Sequence, residues 1–385
     1  MVGLVLMHES RTPPLNSVEA AFSRWLSVNA SRHPEAAPLV LVQISDEDLG
    51  AHPLPWSPVD YSLFFGAALP FQPPVLAVEP VLNWKTAEPQ QISLLHNQTL
   101  RAPKVLLGSD LGFPEDPAFV PPLQEVPVLR NVQGDASRVR EFPMVATQPC
   151  EELRLAATLG FFEPSAASNG KPVGRVPLVF RYRGQVVPSF VLQAAMLYFG
   201  VTPEEVTVAP GSHIALGKEL RIPVDAAGTM PVDFTIPVIR FTMAELLLSA
   251  EQYQGGHQTI APVAQLKNAV TLLARTDTES RTLPLANGRN GSRGELAAAA
   301  IATIQRGRFP QRAGLLVDSV ILLEGLVLGW FCNRLGKLQV VALCTGIFGF
   351  YLLGALGVFT AWDVVLPLTL PAGLLAFLVL FRQLE

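Results

Sequence analysis

Three apolar runs that follow one another after Gly314 constrain the fold of this chain more than any other feature. They read LLVDSVILLEGLVLGWFC, LQVVALCTGIFGFYLLGALGVF and VVLPLTLPAGLLAFLVLF, and only NRLGK and TAWD separate them. Each run has about 18–22 residues, roughly the length of helix that crosses the hydrocarbon core of a bilayer. The sequence therefore predicts three transmembrane helices within residues 313–382, with the lipid bilayer as the first partner.

Charged residues near these runs do not decide the orientation of the chain. Three basic residues in the first linker and the C-terminus share one side, and three basic residues before the first run favour the opposite assignment. The two sets are Arg334, Lys337 and Arg382, and Arg306, Arg308 and Arg312.

The first residues of the chain, MVGLVLM, resemble the last turns of an apolar helix. We expect residues 1–14 to be a stub, the end of a truncated transmembrane helix, with an ordinary disordered start as the alternative. Seven residues are too few to span a bilayer or to form a signal peptide.

The first predicted membrane helix contains two acidic residues. Asp318 lies one turn from its start and can reach the interface, whereas Glu324 lies near the middle, where an ionised carboxylate is costly. Glu324 is followed directly by Gly325 and Gly329, a spacing that lets two helix backbones approach closely. We predict that Glu324, Gly325 and Gly329 mediate membrane helix packing, within the chain or between chains; a proton or ion site is the alternative.

The part of the chain before the apolar runs has the pattern of an α/β domain. Short buried runs such as LVLVQI, PPVLAVEPV, KVLLG and AVTLLAR alternate with amphipathic stretches, which favours a mostly parallel sheet flanked by helices. Neither a linker nor an internal repeat divides this part, so residues 15–312 are predicted to be one domain.

Composition and motifs give no indication of catalysis. The net charge is −4 and no basic stripe with aromatic residues is present, so nucleic acid is not an expected partner. Cys150 is the one cysteine before the apolar runs, and no metal-ligand spacing, phosphate loop or nucleophile elbow occurs. We expect no enzyme activity, no catalytic residues, no cofactor and no metal.

Several stretches, in this order, resemble the second class of CHASE sensory domains, which are extracellular modules of bacterial cyclases and histidine kinases. They are LVLVQISDEDL, VLAVEPV, KVLLG, RVPLVFRYRGQVVPSFVLQAA, LRIPVDAAGTMPVDF and LLARTDTESRT. The resemblance covers about Val18 to Phe381, and three transmembrane helices after the domain are also typical of the family. It implies a multi-pass protein of the bacterial inner membrane with its large domain on the periplasmic side. Members often continue into an output module, whereas this chain ends four residues after Phe381.

Charged residues follow the predicted strands, where ligands of open α/β sheets bind. The candidate ligand-binding residues are Asp46, Glu47, Glu79, Asp110, Asp277 and Arg281. Such acids could bind a cation or a basic ligand; solvated loop acids are the alternative. Gly291-Ser292-Arg293-Gly294 could form a phosphate nest, but Ser292 as a helix N-cap is the preferred interpretation.

Two functions remain for such a chain. The first is a non-catalytic membrane-anchored sensory or receptor subunit, which acts through a separately encoded effector. The alternative is a structural or assembly subunit of a larger membrane complex, and either function involves other membrane proteins or a homo-oligomer. A transporter would need a polar path, which three helices with one central acid hardly provide.

Overall fold

The structure is a computed structural model, and it describes residues 18–19, 21–23, 25–26, 29–30, 35–51, 54–114, 116, 124–164, 172–332, 334–362 and 364–384. The chain divides into two compact units. Pro34–Phe309 forms the first, called here the α/β unit. The described residues before it and those from Pro310 onward form the second, called here the helical unit. The predicted stub, residues 1–14, lies outside the described residues.

The described strands are numbered along the chain. They are β1 (Leu39–Ile44), β2 (Val75–Val78), β3 (Val105–Gly112), β4 (Asn131–Val132), β5 (Glu141–Phe142), β6 (Met144–Thr147), β7 (Thr158–Phe162), β8 (Arg175–Pro177), β9 (Val179–Tyr182), β10 (Gln185–Pro188), β11 (Val206–Ala209), β12 (His213–Leu216), β13 (Leu220–Pro223), β14 (Thr229–Pro231), β15 (Ile239–Thr242), β16 (Val270–Arg275), β17 (Leu283–Pro284), β18 (Asn290–Gly291), β19 (Gln311–Arg312) and β20 (Val364–Val365).

The described helices are numbered in the same way. They are α1 (Asp46–Ala51), α2 (Pro58–Ala68), α3 (Pro89–Arg101), α4 (Glu151–Ala156), α5 (Phe190–Phe199), α6 (Met243–Gln254), α7 (Arg293–Arg306), α8 (Leu315–Cys332), α9 (Lys337–Trp362) and α10 (Thr369–Leu384). Short 3-10 segments occupy Leu69–Phe71, Pro203–Glu205 and Val263–Asn268.

A seven-stranded sheet forms the centre of the α/β unit. Its order is β15-β1-β16-β2-β3-β6, and β7 also pairs with β3. Each of these pairings is parallel except that of β3 with β6. The central strands β1, β2 and β16 are buried along almost their whole length, which explains their continuous apolar sequences. The mixed α/β fold, with sheets flanked by helices, is as predicted.

Helices cover both faces of this sheet. Alternate residues of each strand point to opposite faces, so the sheet contributes to two separate apolar clusters. One face packs against α5 and α7, as Leu41, Ala77 and Leu272 share a cluster with Leu192 and Ile301. The other face packs against α2, α3, α4 and α6.

Smaller sheets complete the α/β unit. Strands β10, β9 and β5 form one of them, β13, β12, β11 and β4 another, and β14–β8 and β17–β18 are two-stranded. The predicted hairpin RVPLVFRYRGQVVP corresponds to β9 and β10, except that its first residues, RVP, form β8 and pair with β14. Its turn places Arg183 at φ 48° and Gly184 at φ 81°, and the second of these needs glycine in this tight reversal.

The helical unit contains α8, α9 and α10. By length and composition one described helix, Lys337–Trp362, is long and apolar enough to cross a membrane. Helix α8 has 18 residues, two of them acidic, and Thr369–Phe381 of α10 is a shorter apolar segment. One of the three predicted spans is thereby supported by length and composition, and the other two remain predictions.

The unit boundaries differ from the predicted domain at its N-terminal end. Residues 15–312 were expected to form one domain, but the structure begins the α/β unit at Pro34. The helical residues before Pro34 instead pack within the helical unit, where Phe22 and Leu26 share an apolar cluster with Ala355 and Phe359.

Candidate functional site

Strand β3 changes its neighbour at Asp110. Leu106 and Leu107 pair with β2 on one edge and with β7 on the other. Asp110 pairs with Phe162 of β7 and with Thr147 of β6, and the register shifts between Asp110 and Leu111. A strand pairs along two edges, and β7 occupies one edge of β3 from Leu106 to Asp110. On the other edge, β6 therefore replaces β2 beyond the point where β2 ends. Open α/β sheets bind ligands in the crevice outside the carboxyl ends of their strands, and this change of neighbour lies beyond the carboxyl end of β2.

Arg293, the first residue of α7, bridges two carboxylates at this crevice. Its Nε donates to Glu79 Oε1 at 2.6 Å and its Nη1 donates to Asp110 Oδ1 at 2.5 Å. Its guanidinium carbon also lies 4.2 Å from the centre of the Phe162 ring, a cation–π arrangement. Glu79 directly follows β2, so the arginine joins the end of one strand to the side of the next.

A second arginine–carboxylate pair lies at the end of β16. Arg275 donates from Nε and Nη2 to both carboxylate oxygens of Asp277, at 2.9 and 2.8 Å, and the Asp277 side chain is 1% exposed. The Arg275 backbone N–H donates to Glu79 Oε2 at 3.4 Å, which connects the two pairs. We call Glu79, Asp110, Arg275, Asp277 and Arg293 the carboxyl-edge cluster.

Burial and pairing shift the pKa values of the cluster in different directions. Burial raises the pKa of the Asp110 carboxyl, and Arg293 offsets only part of this rise because Glu79 also adds a negative charge. Burial would raise the pKa of Asp277 too, but the hydrogen bonds and charge of Arg275 lower it overall. Burial opposes the charge on Arg293, yet attraction to Glu79 and Asp110 raises its pKa above the ordinary value.

Local sequence positions Arg293 at the start of α7. Ser292 is the N-cap and accepts from the Glu295 backbone N–H, while the Glu295 carboxylate accepts from the Ser292 N–H. This capping box confirms Ser292 as the N-cap. Gly294 lets the helix approach β16 closely, since an added Cβ would lie 2.3 Å from Ala274 Cβ.

An apolar cavity of about 170 Å³ lies beside this helix start. Its wall includes Phe162, Phe180 and Phe190, as well as Leu296 and Ala297 of α7. We call it the phenylalanine cavity. Arg293 belongs to both the cavity wall and the carboxyl-edge cluster, so a single helix start contributes to the two features.

The structure distributes the six predicted ligand-binding residues among several contacts. Glu79 and Asp110 come together through Arg293, and Asp277 lies in the same cluster. Asp46 accepts instead from the backbone N–H and hydroxyl of Thr278, at 3.0 and 2.8 Å.

The side chains of the remaining two predicted residues, Glu47 and Arg281, do not pair with the carboxyl-edge cluster. Arg281 Nε lies 3.4 Å from Glu295 Oε2, and the Glu295 carboxylate also accepts from Arg240. Glu47 is exposed on α1. Within the described ranges no group of three or more His, Cys, Asp or Glu side chains could hold a metal ion.

Sequence reasoning did not include Arg293 or Arg275 in the site. Arg293 is separated from Glu79 by 214 positions, and nothing near either residue in the sequence indicates that they meet. Helix α7 follows β18, which pairs antiparallel with β17 outside the central sheet, so the N-cap motif alone does not place Arg293 at the carboxyl edge.

The predicted helix-packing residues lie on α8. An added Cβ at Gly325 would lie 2.9 Å from Leu374 of α10, and one at Gly329 would lie 3.2 Å from Leu378. Glu324 is exposed and lines an apolar groove of about 390 Å³ with residues that include Phe331. No described residue forms an ion pair or hydrogen bond with the Glu324 carboxylate.

Comparisons with protein-family models, with curated proteins and with solved structures found no match to this chain.

Proposed function

We propose that this chain is a non-catalytic sensory or receptor subunit anchored in the bacterial inner membrane. In this proposal the α/β unit lies on the periplasmic side and binds a small ligand at its carboxyl edge. Helices α8, α9 and α10 all span the bilayer, and the signal passes to a separately encoded effector. Membership of the second class of CHASE domains belongs to the same proposal and rests on the sequence stretches that carry the resemblance.

The observation that carries the proposal is the double role of α7. Its first residues hold the carboxyl-edge cluster together and form part of the cavity wall. Its last residue is Arg306, and the apolar helix α8 begins shortly afterwards at Leu315. A ligand that changes the position of α7 would therefore act on the last helix of the chain before the membrane anchor.

The pairing of the charged groups favours binding over catalysis. Both arginines of the carboxyl-edge cluster are hydrogen-bonded to carboxylates of the same cluster. A general acid or base must reach a substrate atom within hydrogen-bond distance, and partners of this kind compete with such a role.

A structural or assembly subunit is the second candidate, favoured by Glu324. An ionised or protonated carboxyl on an otherwise apolar helix surface is costly in lipid unless protein or water covers it. A larger membrane complex would supply that cover. The two functions share the membrane anchor and differ in what the α/β unit does.

Purification of the tagged full chain from native membranes in a mild detergent tests the proposal. Substoichiometric kinase or cyclase partners in the eluate support sensing, whereas a stoichiometric assembly supports the structural function. Recovery of the chain with no specific partner in either amount would contradict both.

Topology has its own test. In a Cys150→Ser background, the exposed Glu47→Cys substitution provides one labelling site on the α/β unit. A membrane-impermeant maleimide added to intact spheroplasts should label this variant. Labelling only after lysis would place the α/β unit in the cytoplasm and overturn the proposed topology.

A further inference from the structure

The phenylalanine cavity has walls suited to an aromatic ring. Phe162 and Phe190 stack with centres 4.6 Å apart and an interplanar angle of 21°, and Phe180 is fully buried. The aliphatic side chains of Val191 and Leu296 complete this part of the wall. Aromatic rings pack against one another in offset or edge-to-face geometry, so such a lining favours a planar ligand.

The charged side chains in the wall already have partners. Arg293 is paired with Glu79 and Asp110, as described above. Arg175 donates to Thr229 through Nε and Nη2 and lies 3.2 Å from Asp225, and Glu163 accepts from Arg140 at 2.5 Å. A charged ligand would have to displace one of these partners, and a charge left unpaired against the apolar side chains of the wall is costly.

The size of the cavity limits the ligand to one small ring system. A volume of about 170 Å³ is close to that of apolar protein cavities which hold benzene, about 150 Å³. A larger molecule would extend beyond the volume that α5 and α7 help to enclose.

We propose that the phenylalanine cavity binds a small uncharged aromatic molecule of one ring or a fused bicyclic ring. This inference rests on the proposed function in one respect: the molecule would be the signal that the sensory subunit detects. The ligand would pack against Leu296 and Ala297, and it would therefore alter the packing of α7 without forming an ion pair.

Water-soluble probes test the ligand class with the full chain in lipid nanodiscs. Benzyl alcohol and indole are the uncharged probes, and benzoate and benzylamine are charged molecules of similar shape. We expect the uncharged probes to bind at least about tenfold more tightly than the charged ones, because an unpaired charge is costly in an apolar cavity. Tighter binding of benzoate would instead indicate a carboxylate site on Arg293 or Arg175 and would overturn the inference.

A cavity-filling variant separates binding in the cavity from partition into lipid. Ala297→Leu adds volume inside the wall, so the affinity for indole should fall by about tenfold or more, to the level of lipid partition. Ala244→Leu makes the same change on an exposed position of α6 and should leave indole binding unchanged. Equal binding by the wild type and Ala297→Leu would show that indole only enters the lipid.

A measurement on the unaltered chain covers the case in which Ala297→Leu does not fold. With methyl-labelled valine and leucine, indole should shift the resonances of Val191 and Leu296 in a saturable manner. If these two resonances do not move while indole is present at saturating concentration, the inference is wrong.

Failure of the cavity to bind these probes is distinguishable from failure of the proposed sensory function. Saturable indole binding without any effector partner would support the cavity and contradict the sensory function. An effector partner without binding of any probe would support the sensory function and contradict this ligand class.

Discussion

Glu79 and Asp277 of the α/β unit differ from Glu324 of the helical unit in burial and in pairing. In the α/β unit, Glu79 and Asp277 are almost completely buried, and an arginine is hydrogen-bonded to each of them. In the helical unit, Glu324 lies on the surface of an apolar helix and no described residue pairs with it. A buried acid with an internal partner contributes to the stability of the fold, whereas an exposed acid on an apolar surface contributes through what binds there. The first kind should affect folding when it is removed and the second should affect association.

The largest effect is expected from Arg293→Met, which removes the shared partner of Glu79 and Asp110. Breaking a buried ion pair costs about 3–5 kcal/mol because a buried charge is left uncompensated. We expect a loss of about 4 kcal/mol, measured as a fall in the thermal unfolding midpoint of the full chain in detergent. Arg293→Lys keeps the positive charge and should lose about half as much. A loss below about 1 kcal/mol for Arg293→Met would contradict a stabilising role for the cluster.

Asp277→Ala should lower the free energy of unfolding by slightly less, about 3 kcal/mol, since Arg275 is partly exposed and can be hydrated after the change. For a domain of this size the unfolding midpoint should fall by about 2–4 °C for each kcal/mol. The exposed Glu47→Ala is the matched control and should change stability by less than about 0.5 kcal/mol. If both substitutions had the same effect, burial of the ion pair would not matter.

Gly294→Ala should lower the free energy of unfolding by about 2 kcal/mol. The new Cβ would lie 2.3 Å from Ala274 Cβ and would push α7 away from β16. Helix propensity alone predicts the opposite sign for this change, a gain of about 1 kcal/mol. The double variant Ala274→Gly with Gly294→Ala restores the space and should recover most of the loss. Thermal unfolding of the three variants provides the coupling energy, and additivity of the two changes would contradict close contact.

The pH dependence of stability should distinguish Asp110 from Asp277. The pKa of Asp110 is raised in the fold, so stability falls as the pH rises from the ordinary aspartate pKa of 3.8 through the folded-state value. The pKa of Asp277 is lowered, so stability rises with pH through the window just below 3.8.

Unfolding midpoints measured between pH 3 and pH 7 check this difference. Asp110→Asn should remove the decrease and Asp277→Asn should remove the increase. The two aspartates are thus distinguished by the sign of the slope that each substitution removes. The reverse assignment would contradict the burial of Asp110.

Glu324→Gln should have the smallest effect on stability, less than about 0.5 kcal/mol, because no described residue depends on the carboxylate. Recovery of a partner protein with the tagged chain should nevertheless fall several-fold if this carboxylate contacts that partner. Leu326→Ala, on the same helix but outside the groove residues, is the control and should leave recovery unchanged. If Glu324→Gln lowered the stability and left the recovery of the partner unchanged, Glu324 would behave like the buried acids Glu79 and Asp277, and the contrast would be wrong.

Much of the fold could be predicted from periodicity and turn residues. The runs that became β1, β2, β3 and β16 are apolar throughout because both faces of the sheet are covered, and such runs are easy to recognise. Strand β15 was missed because it lies at the edge of the sheet, where Arg240 is exposed and only Phe241 is fully buried. The sequence of an edge strand lacks the pattern of a central one.

The candidate site could be predicted only in part. The rule that ligands bind beyond the carboxyl ends of parallel strands led to Glu79, Asp110 and Asp277, and the structure places these three in one cluster. The rule applies to residues that follow strands, so it could not identify Arg293 on a helix that starts far along the chain. Arg281 was predicted for the same site, but it reaches Glu295 instead.

The strand order has a consequence for how the chain is made. Strand β1 is synthesised first, yet both of its neighbours, β15 and β16, come from residues beyond position 238. Its apolar side chains therefore have no partner strand while most of the α/β unit is emerging from the ribosome. Pairing between such distant segments is slow and leaves apolar surface exposed meanwhile. The nascent chain should thus need protection from aggregation until Arg275 has emerged, and truncation before that residue should abolish the central sheet.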